Sequence, residues 1–315
     1  MSEHSLTNEY VTIECMPVEI QQPDLSSYEP LVQLRMARLP RVRRSQAEWP
    51  FVHAGEMAFL ELRAAYDDGE LIGWGSALRG KWFPPGIAML GVTVARRHER
   101  RGVGGELYRE LLAALPPEVE TLGLAVDDTD PDSLAIARSH GFEVNQHGIE
   151  SELALTDLPE PQPGPGVTLE DVSALDFPDE EAVDAMLRDS QTNPEAAEGF
   201  VSTLDNYREL AAKVEREVAA LARVDGAPAA LIIGEVDNGV LGIAYTGVGR
   251  TYRGQNLAFT LKQYGHRLAA DAGATLSHTM NEAGNTGIRR INAKLGYQVI
   301  GGVYRLRRPR DAPHG

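Results

Sequence analysis

The chain has 315 residues, of which 43% are hydrophobic, and a formal net charge of −16 at pH 7. This length is typical of two domains, and the acidic balance disfavours nonspecific binding to nucleic acid, which requires a basic surface. No apolar run predicts a membrane span, the first residues lack the pattern of a signal peptide, and the single cysteine, Cys15, excludes an internal disulfide. We therefore expect a cytoplasmic monomer or homodimer with neither a nucleic-acid nor a membrane partner.

Apolar alternation and Gly, Asp and Pro punctuation predict the elements of the first half. In chain order these are a helix at about 24–38, strands at about 56–67 and 70–79, a strand that runs through a glycine-rich loop into a helix, a strand at about 120–126, a short helix, and two closing strands at about 143–146 and 150–155. Asp130 and Pro131 mark the start of the short helix, since Asp caps helices and Pro tolerates the first helical position.

A basic cluster overlaps the end of the first predicted helix. Its members are Arg35, Arg38, Arg41, Arg43 and Arg44. Runs of like charge are usually solvated, so we favour a solvated helix end and loop. The alternative interpretation is an anion site for a carboxylate or phosphate substrate.

The segment LPEPQPGPGVTLEDV, residues 158–172, predicts a linker. Its prolines and glycines can continue neither a helix nor a central strand, and such segments are extended and semi-rigid. We therefore predict an N-terminal domain at residues 1–158, a linker at 159–167 and a C-terminal domain at 168–315.

The two halves resemble each other. LGVTVARRHERRGVGGELYREL in the first half and AYTGVGRTYRGQNLAFTLKQY in the second both end an apolar strand and open a helix. Val94 and Val248 are 154 positions apart (248 − 94), and Gly141 and Gly296 are 155 apart (296 − 141). A nearly constant offset across two motifs indicates an internal duplication.

The second half repeats the predicted order of elements. It has helical segments at about 178–223 with breaks, strands at about 217–224 and 228–236, the strand–loop–helix unit, a strand at about 274–280, a short helix, and closing strands at about 297–300 and 302–307. Each half is therefore expected to build the same layered unit.

The glycine-rich loop of the first copy has the composition of an anion site. Three glycines lie where the helix begins: Gly102, Gly104 and Gly105. The first N–H groups of a helix lack partners within the helix and carry partial positive charge, so a phosphate can dock there when no side chain blocks it. Three arginines add positive charge: Arg97, Arg100 and Arg101. The alternative is a tight connection with solvated arginines.

Two well-known phosphate loops do not fit this spacing. The segment G-V-G-G is too compact for the G-x-G-x-x-G of a dinucleotide site and follows several strands, and the G-x-x-x-x-G-K-[ST] of a Walker loop is absent. The remaining option is a loop that binds the pyrophosphate of an acyl-CoA.

With these motifs the sequence resembles the GNAT superfamily of acyl-CoA-dependent N-acyltransferases, in a tandem arrangement of bacterial type. The family signature is [Q/R]-x-x-G-x-[G/A], followed later by an N-x-x-x-N…G-[F/Y] segment. Gly102 and Gly104 match in the first copy, where Glu99 replaces Gln or Arg. In the second copy Arg253 and Ala258 match, while Asn256 replaces glycine, and the later segment reads Asn281, Asn285, Asn292, Gly296 and Tyr297.

The resemblance implies an α+β fold, in three layers, with two GNAT-like domains, each a mixed, mostly antiparallel sheet flanked by helices. It implies acetyl-CoA as co-substrate, without a metal. The implied binding residues of the first copy are Val92, Thr93, Val94, Arg100, Arg101, Gly102, Val103, Gly104 and Gly105. Those of the second copy are Thr246, Gly247, Val248, Arg253, Gly254, Gln255, Asn256, Leu257, Ala258, Asn281, Asn285 and Asn292.

The implied reaction is direct attack of an amine on the acetyl-CoA thioester, with a strand N–H group stabilising the oxyanion. The usual carboxylate base on the fourth strand is absent, and the usual tyrosine acid is replaced by Ala137 and Asn292. Tyr245 is the candidate polar group facing the acetyl group, although an aromatic residue on a strand more often fills packing space.

Three functions stay open from the sequence. The first is N-acetylation of a small amine, such as a metabolite or antibiotic intermediate. The second is an acyl-CoA-binding protein in which one or both copies have lost catalysis, and the third is acylation of protein termini or lysines. No histidine spacing predicts a metal site, and no G-x-S-x-G elbow predicts a covalent intermediate.

Overall fold

The structure is a computed structural model that describes residues 18–81, 83, 84, 86–192, 201–212 and 216–311. Cys15 and both ends of the chain lie outside these residues. The fold is α+β, as predicted. The chain divides into two compact units: unit 1 comprises residues 1–78 and 90–115, and unit 2 comprises residues 79–89 and 116–315. The predicted division into domains at the linker stays a prediction.

The described helices are α1 (Glu29–Arg38), α2 (Arg44–Val52), α3 (Val103–Ala113), α4 (Pro131–Ser139), α5 (Glu180–Ser190), α6 (Leu204–Ala211), α7 (Leu257–Asp271) and α8 (Thr286–Leu295). The strands are β1 (Glu19–Gln21), β2 (Met57–Asp67), β3 (Glu70–Gly80), β4 (Ile87–Val94), β5 (Thr121–Asp127), β6 (Glu143–Ala154), β7 (Val167–Asp171), β8 (Arg216–Val224), β9 (Ala227–Asp237), β10 (Val240–Val248), β11 (Leu276–Glu282) and β12 (Gln298–Pro309).

Unit 1 contains the helices α1, α2 and α3, the strands β1 and β2, most of β3 and the last five residues of β4. One apolar cluster lies under α1 and α2 and includes Leu31, Phe51 and Trp74. A second includes Ile72 with Val103 and Leu107, which anchors the first turns of α3 to β3. These contacts fix where α3 begins.

Unit 2 carries strands in the order β5, β12, β6, β11, β10, β9, β8, β7. An apolar cluster on one face of this sheet includes residues of α5 and α6, such as Leu187 and Leu204. On the opposite face α7 packs through Leu257 and Leu261 against the alanine-rich strands β8 and β9. The helix that follows the second glycine loop is thus held from its first residue.

The two closing strands are exchanged between the repeats. Strand β12, from the second repeat, pairs with both β5 and β6. Strand β6, from the first repeat, pairs with β11 over all seven residues Leu276–Glu282. Each repeat's fifth strand therefore has a strand of the other repeat as its neighbour.

Each pair of closing strands predicted from the sequence is a single long strand, so this part of the prediction is wrong. The prediction placed turns near glycines, but β6 and β12 continue through Gly148, Gly301 and Gly302. A β-bulge lies between Val299 and Gly301, where Gly301 has a φ of 151°. Glycine within a strand marks a bulge or a close backbone approach, and here it marks both.

Helix α2 was not predicted, because Pro50 lies inside it and its arginines favour a loop. The basic cluster is engaged within unit 1. Arg44 pairs with Glu29, Arg38 lies 2.7 Å from Glu99, and the Arg35 guanidinium lies 6.0 Å from the ring centroid of Trp74. The favoured interpretation, a solvated helix end and loop, is therefore wrong in two respects: residues 44–52 form a helix, and these arginines are held by side chains of unit 1. The alternative of an anion site stays a prediction.

We predict that Gly302→Ala destabilises the fold by about 1–3 kcal/mol, the usual cost of overpacking. An added Cβ would collide with the carbonyl oxygen of Gly148 and lie 2.6 Å from Oδ2 of Asp128. The control is Gly164→Ala, whose Cβ would meet only Val167, at 4.0 Å. Urea unfolding of both variants checks this, and equal midpoints would contradict it.

Candidate functional site

The glycine loop of the first copy lies within unit 1 and leaves backbone amides uncovered. Gly102 has a φ of 86° and precedes α3, which has no side-chain cap. Among the described residues, none accepts a hydrogen bond from the N–H groups of residues 103–105. A Cβ on Gly105 would meet nothing within 4 Å. The geometry fits an anion docked on a helix N-terminus.

The arginines of this loop hold neighbouring side chains. Arg97 pairs with Glu70, and Arg101 lies 3.3 Å from Asp67 and 2.7 Å from Nδ1 of His98. Burial, followed by the charges of Arg101 and Arg97, lowers the pKa of His98. These arginines therefore brace the loop, and the uncovered amides are the feature that an anion would meet.

The loop of the second copy, within unit 2, has the same backbone form. Gly254 has a φ of 83°, and Asn256 takes the left-handed conformation, with a φ of 62°, that glycine takes in the first copy. Helix α7 also lacks a side-chain cap, and in the described part of the chain the N–H groups of residues 257–259 have no acceptor. Asn tolerates this conformation better than most residues, so its presence here is consistent with a retained turn.

The arginines of the second loop contact residues at and just beyond the C-terminal end of α5. Arg253 donates to the carbonyl oxygen of Ser190 at 3.3 Å and to Thr192 Oγ1 at 3.1 Å. The N–H of Arg250 donates to the carboxylate of Asp189 at 2.7 Å. The loop is thereby fastened to the C-terminal end of α5.

Strands β10 and β11 part in the middle of the sheet of unit 2. They pair in parallel from Val240 and Leu276 to Ile243 and Thr279, and both strands continue without further pairing to each other. Ala244 has no partner in β9, which marks a β-bulge at the point of parting. Bulges are common next to active sites because they redirect the strand. The result is an opening lined by strand backbone.

Tyr245 lies on β10 at this opening, with its side chain turned to the α5 face. The side chain packs against the cluster of α5 and α6, and its hydroxyl contacts Ser190 Oγ. Burial raises its pKa well above the usual range. The contacts are those of a packing residue, and its predicted catalytic role stays a prediction. Next to it, Thr246 Oγ1 is buried without a partner among the described residues.

The three predicted asparagines of the second copy take different positions. Asn285 caps α8 by accepting from the N–H of Ile288. Asn292 is buried and donates to Oδ1 of Asn281 at 2.6 Å. Sequence reasoning missed their neighbour Lys262, which donates to Oδ1 of Asn292 at 2.7 Å. The available signal was a lysine among the buried apolar residues of α7, because a lysine is almost never fully buried without a polar partner.

Ionisable side chains also lie on the α5 face of the sheet, and sequence reasoning missed Glu217 among them. Glu217 on β8 lies directly opposite Glu235 on β9. A Cβ on Gly242 of β10 would lie 3.7 Å from Cγ of Glu235, so this side chain lies over β10 just before the bulge. Farther along, His278 lies 3.9 Å from Glu150. We call Glu217 and Glu235 the carboxylate pair.

Burial and the charge of Glu235 raise the pKa of Glu217 to about 7. Two carboxylates on opposite strands cannot both ionise easily, so the pair holds a proton near neutral pH. A base poised near pH 7 is suited to accept a proton from an amine. In the described residues there is no group of three or more His, Cys, Asp or Glu side chains arranged to hold a metal ion, and no helix is long and apolar enough to cross a membrane.

Comparison with known proteins agrees with this fold. The profile described as "Acetyltransferase (GNAT) family" matches residues 25–142. No curated protein sequence matches the chain.

Three solved structures share the fold. A tandem GNAT protein from the clavulanic acid biosynthesis pathway is 19% identical, with a TM-score of 0.76, and covers 94% of this chain and 100% of its own. A GCN5-related N-acetyltransferase from Sphaerobacter thermophilus is 17% identical, with a TM-score of 0.72 and coverage of 93% and 96%. A glucosamine N-acetyltransferase region of a fungal multi-domain β-N-acetylglucosaminidase is 14% identical, with a TM-score of 0.70 and coverage of 96% and 39%.

At these identities the structures establish the fold alone, whereas the profile identifies a domain by its sequence. Residues 25–142 therefore match the GNAT acetyltransferase family, and the chain shares the fold of a tandem GNAT protein.

Proposed function

We propose that the chain transfers an acetyl group from acetyl-CoA to the amine of a small molecule, and that the second copy carries the reaction. The observation that carries the proposal is the parting of β10 from β11 at the bulge of Ala244, beside the carboxylate pair. The N–H groups without acceptors in the first turn of α7 would hold the pyrophosphate, and the buried hydroxyl of Thr246, which has no partner among the described residues, fits a polar atom of the pantetheine arm.

The proposed reaction is a direct displacement. The neutral amine attacks the thioester carbon, a C–N bond forms, the C–S bond breaks, and its electron pair leaves with the CoA thiolate. The amine proton passes to the carboxylate pair. A strand N–H at or beyond Ala244 stabilises the oxyanion, an effect of about 3–4 kcal/mol in other enzymes.

The acidic side chains on the α5 face support an amine as acceptor. Glu235 lies over β10, while Glu150 and His278 lie farther along the same face. Negative charge concentrates a cationic amine, and the pair can then remove its proton. We further propose a role in antibiotic biosynthesis, because a protein of the same fold comes from the clavulanic acid biosynthesis pathway. The proposed location is the cytoplasm, and no described helix is long and apolar enough to cross a membrane.

The second candidate function is acyl-CoA binding without chemistry. It is favoured by Asn292 at the position of the family's tyrosine acid. Equal CoA affinity with no transfer to a broad amine panel would select it over the transferase.

We predict that each loop binds one CoA. Gly104→Glu and Ala258→Glu each place a carboxylate beside the uncovered amides, so each is expected to weaken binding at its own loop at least about tenfold by charge repulsion. Isothermal titration with CoA checks this: the wild type should show two sites and each variant one. Unchanged titrations in both variants would contradict the proposed loops.

We predict that Glu235→Gln lowers kcat/KM for the amine by about 10² or more, because it removes one carboxylate of the pair that accepts the proton. Asp237→Asn is the matched control: it removes the same charge on the same strand, where Asp237 accepts from Asn238. Steady-state kinetics with the best amine of the panel measures both. An equal effect of the two substitutions would indicate a general charge effect and contradict the assigned base.

We predict that Glu217→Gln is more stable than the wild type at pH 8 by about 1 kcal/mol, after allowance for solvent screening. The folded-state pKa of Glu217 is raised to about 7 from 4.5, so the folded protein holds the proton more tightly, and wild-type stability falls as the pH rises from about 4.5 to 7. At pH 4 both proteins carry a neutral group and should unfold alike. Urea unfolding at the two pH values tests this, and a pH-independent difference would contradict it.

A further inference from the structure

Lys262 is a buried cation that the proposed reaction does not use. Its side chain on α7 is 0% exposed, and no carboxylate pairs with it in the described part of the chain. Nζ lies 2.7 Å from Oδ1 of Asn292 and 4.8 Å from the ring centroid of Tyr297. A lysine held inside a protein without a carboxylate is costly, so its retention calls for a role.

The lysine determines the orientation of two carboxamides. Its ammonium group is a donor only, so Asn292 must turn its oxygen to Lys262 and its NH2 group to Asn281. Asn281 then accepts with its own oxygen, at 2.6 Å. The NH2 group of Asn281 is therefore the donor that remains at the end of the series.

Asn281 lies at the opening. It is two residues beyond Thr279, the last residue of β11 that pairs with β10. It is partly exposed, whereas Thr279 and Asn292 are buried. The donor series thus begins in the core at Lys262 and ends where β10 and β11 part.

We propose that Lys262 is a positioning residue that orients Asn292 and Asn281 so that the NH2 group of Asn281 donates a hydrogen bond to the sulphur end of the acyl-CoA. This inference rests on the proposed function. The hydrogen bond from Asn281 would stabilise the departing thiolate in place of a tyrosine acid. The electron pair of the broken C–S bond stays on sulphur, and a donor there lowers the energy of that charge.

The surroundings of Lys262 support this assignment. Burial lowers the pKa of Lys262 to about 7, and burial with the charge of Lys262 lowers that of His266 to about 3. His266 is therefore neutral, and with Ser277 it bonds to the hydroxyl of Tyr297, at 2.8 and 2.7 Å. The positive charge that this cluster carries below about pH 7 therefore lies on Lys262, next to Asn292.

The test compares Lys262→Met with Lys262→Gln and with Lys294→Met. Methionine fills the volume without donating, and glutamine donates but can also accept, so it no longer enforces one orientation. Lys294 is exposed on the same helix as Asn292, which makes it the control. We expect Lys262→Met to lower kcat by about tenfold to a hundredfold, with KM for acetyl-CoA unchanged within about twofold, Lys262→Gln to recover part of the loss, and Lys294→Met to match the wild type.

A second readout does not depend on transfer. In the wild type, the side-chain amide NMR signals of Asn281 should shift on addition of acetyl-CoA, and this response should vanish in Lys262→Met. Unchanged kcat in Lys262→Met, or a rise in KM that accounts for the loss, would overturn the inference, as would an Asn281 signal that ignores saturating acetyl-CoA. If the wild type acetylates no amine, the proposed function fails, and the NMR response still decides the orientation.

Discussion

The candidate site depends on strand β11, which stops pairing with β10 on one side but stays paired with β6 on the other. Strand β11 gives up β10 after Thr279, yet it stays paired with β6 along its whole length. Strand β10 likewise keeps its ladder with β9 while it curves away at the bulge. The backbone groups of β10 and β11 that point towards each other thus face an opening in an otherwise continuous sheet. Buried backbone polar groups require partners, so this opening is suited to an extended ligand with amides of its own.

In both glycine loops the arginine side chains hold the loop in place, while the backbone N–H groups are left to bind a ligand. Their arginines bind carboxylates or carbonyls of their own unit, as Arg101 does with Asp67 and Arg253 with Ser190. The helix that follows each loop begins without a side-chain cap, so its first N–H groups remain available to a ligand. A site built this way attracts an anion by oriented amide dipoles, whose positions do not change when the ligand arrives. That arrangement is compatible with a protein of strongly acidic overall charge.

Local patterns predicted the loops well and the long-range pairing poorly. The positions of Gly102 and Asn256, each left-handed before a helix, followed from a motif of a few residues. The destination of β6 and β12 could not follow from such patterns, because either strand satisfies the same alternation in its own repeat or in the other. A glycine in these strands could mark either a turn or a close approach of two backbones, and only the strand pairing distinguishes the two.

The site residues divide in the same way. Residues within a motif, such as Asn281 and Asn292, were implied by the resemblance to a family pattern. Glu217 and Lys262 were not, because their properties arise from partners more than 15 positions away along the chain. A buried lysine and a raised carboxyl pKa are products of tertiary packing, and a sequence displays them only as ordinary charged residues on an apolar stripe.

The exchange of closing strands has a consequence for biosynthesis. Strand β5 of the first repeat has β12 as its neighbour, and β12 is synthesised after every other strand that the structure describes. The first repeat therefore cannot complete its sheet until β12 has been synthesised, and until then β5 exposes a row of backbone groups without partners. Unpaired strand edges recruit other chains, so chaperones would protect the nascent protein at this stage. The need for protection ends when β12 pairs with β5.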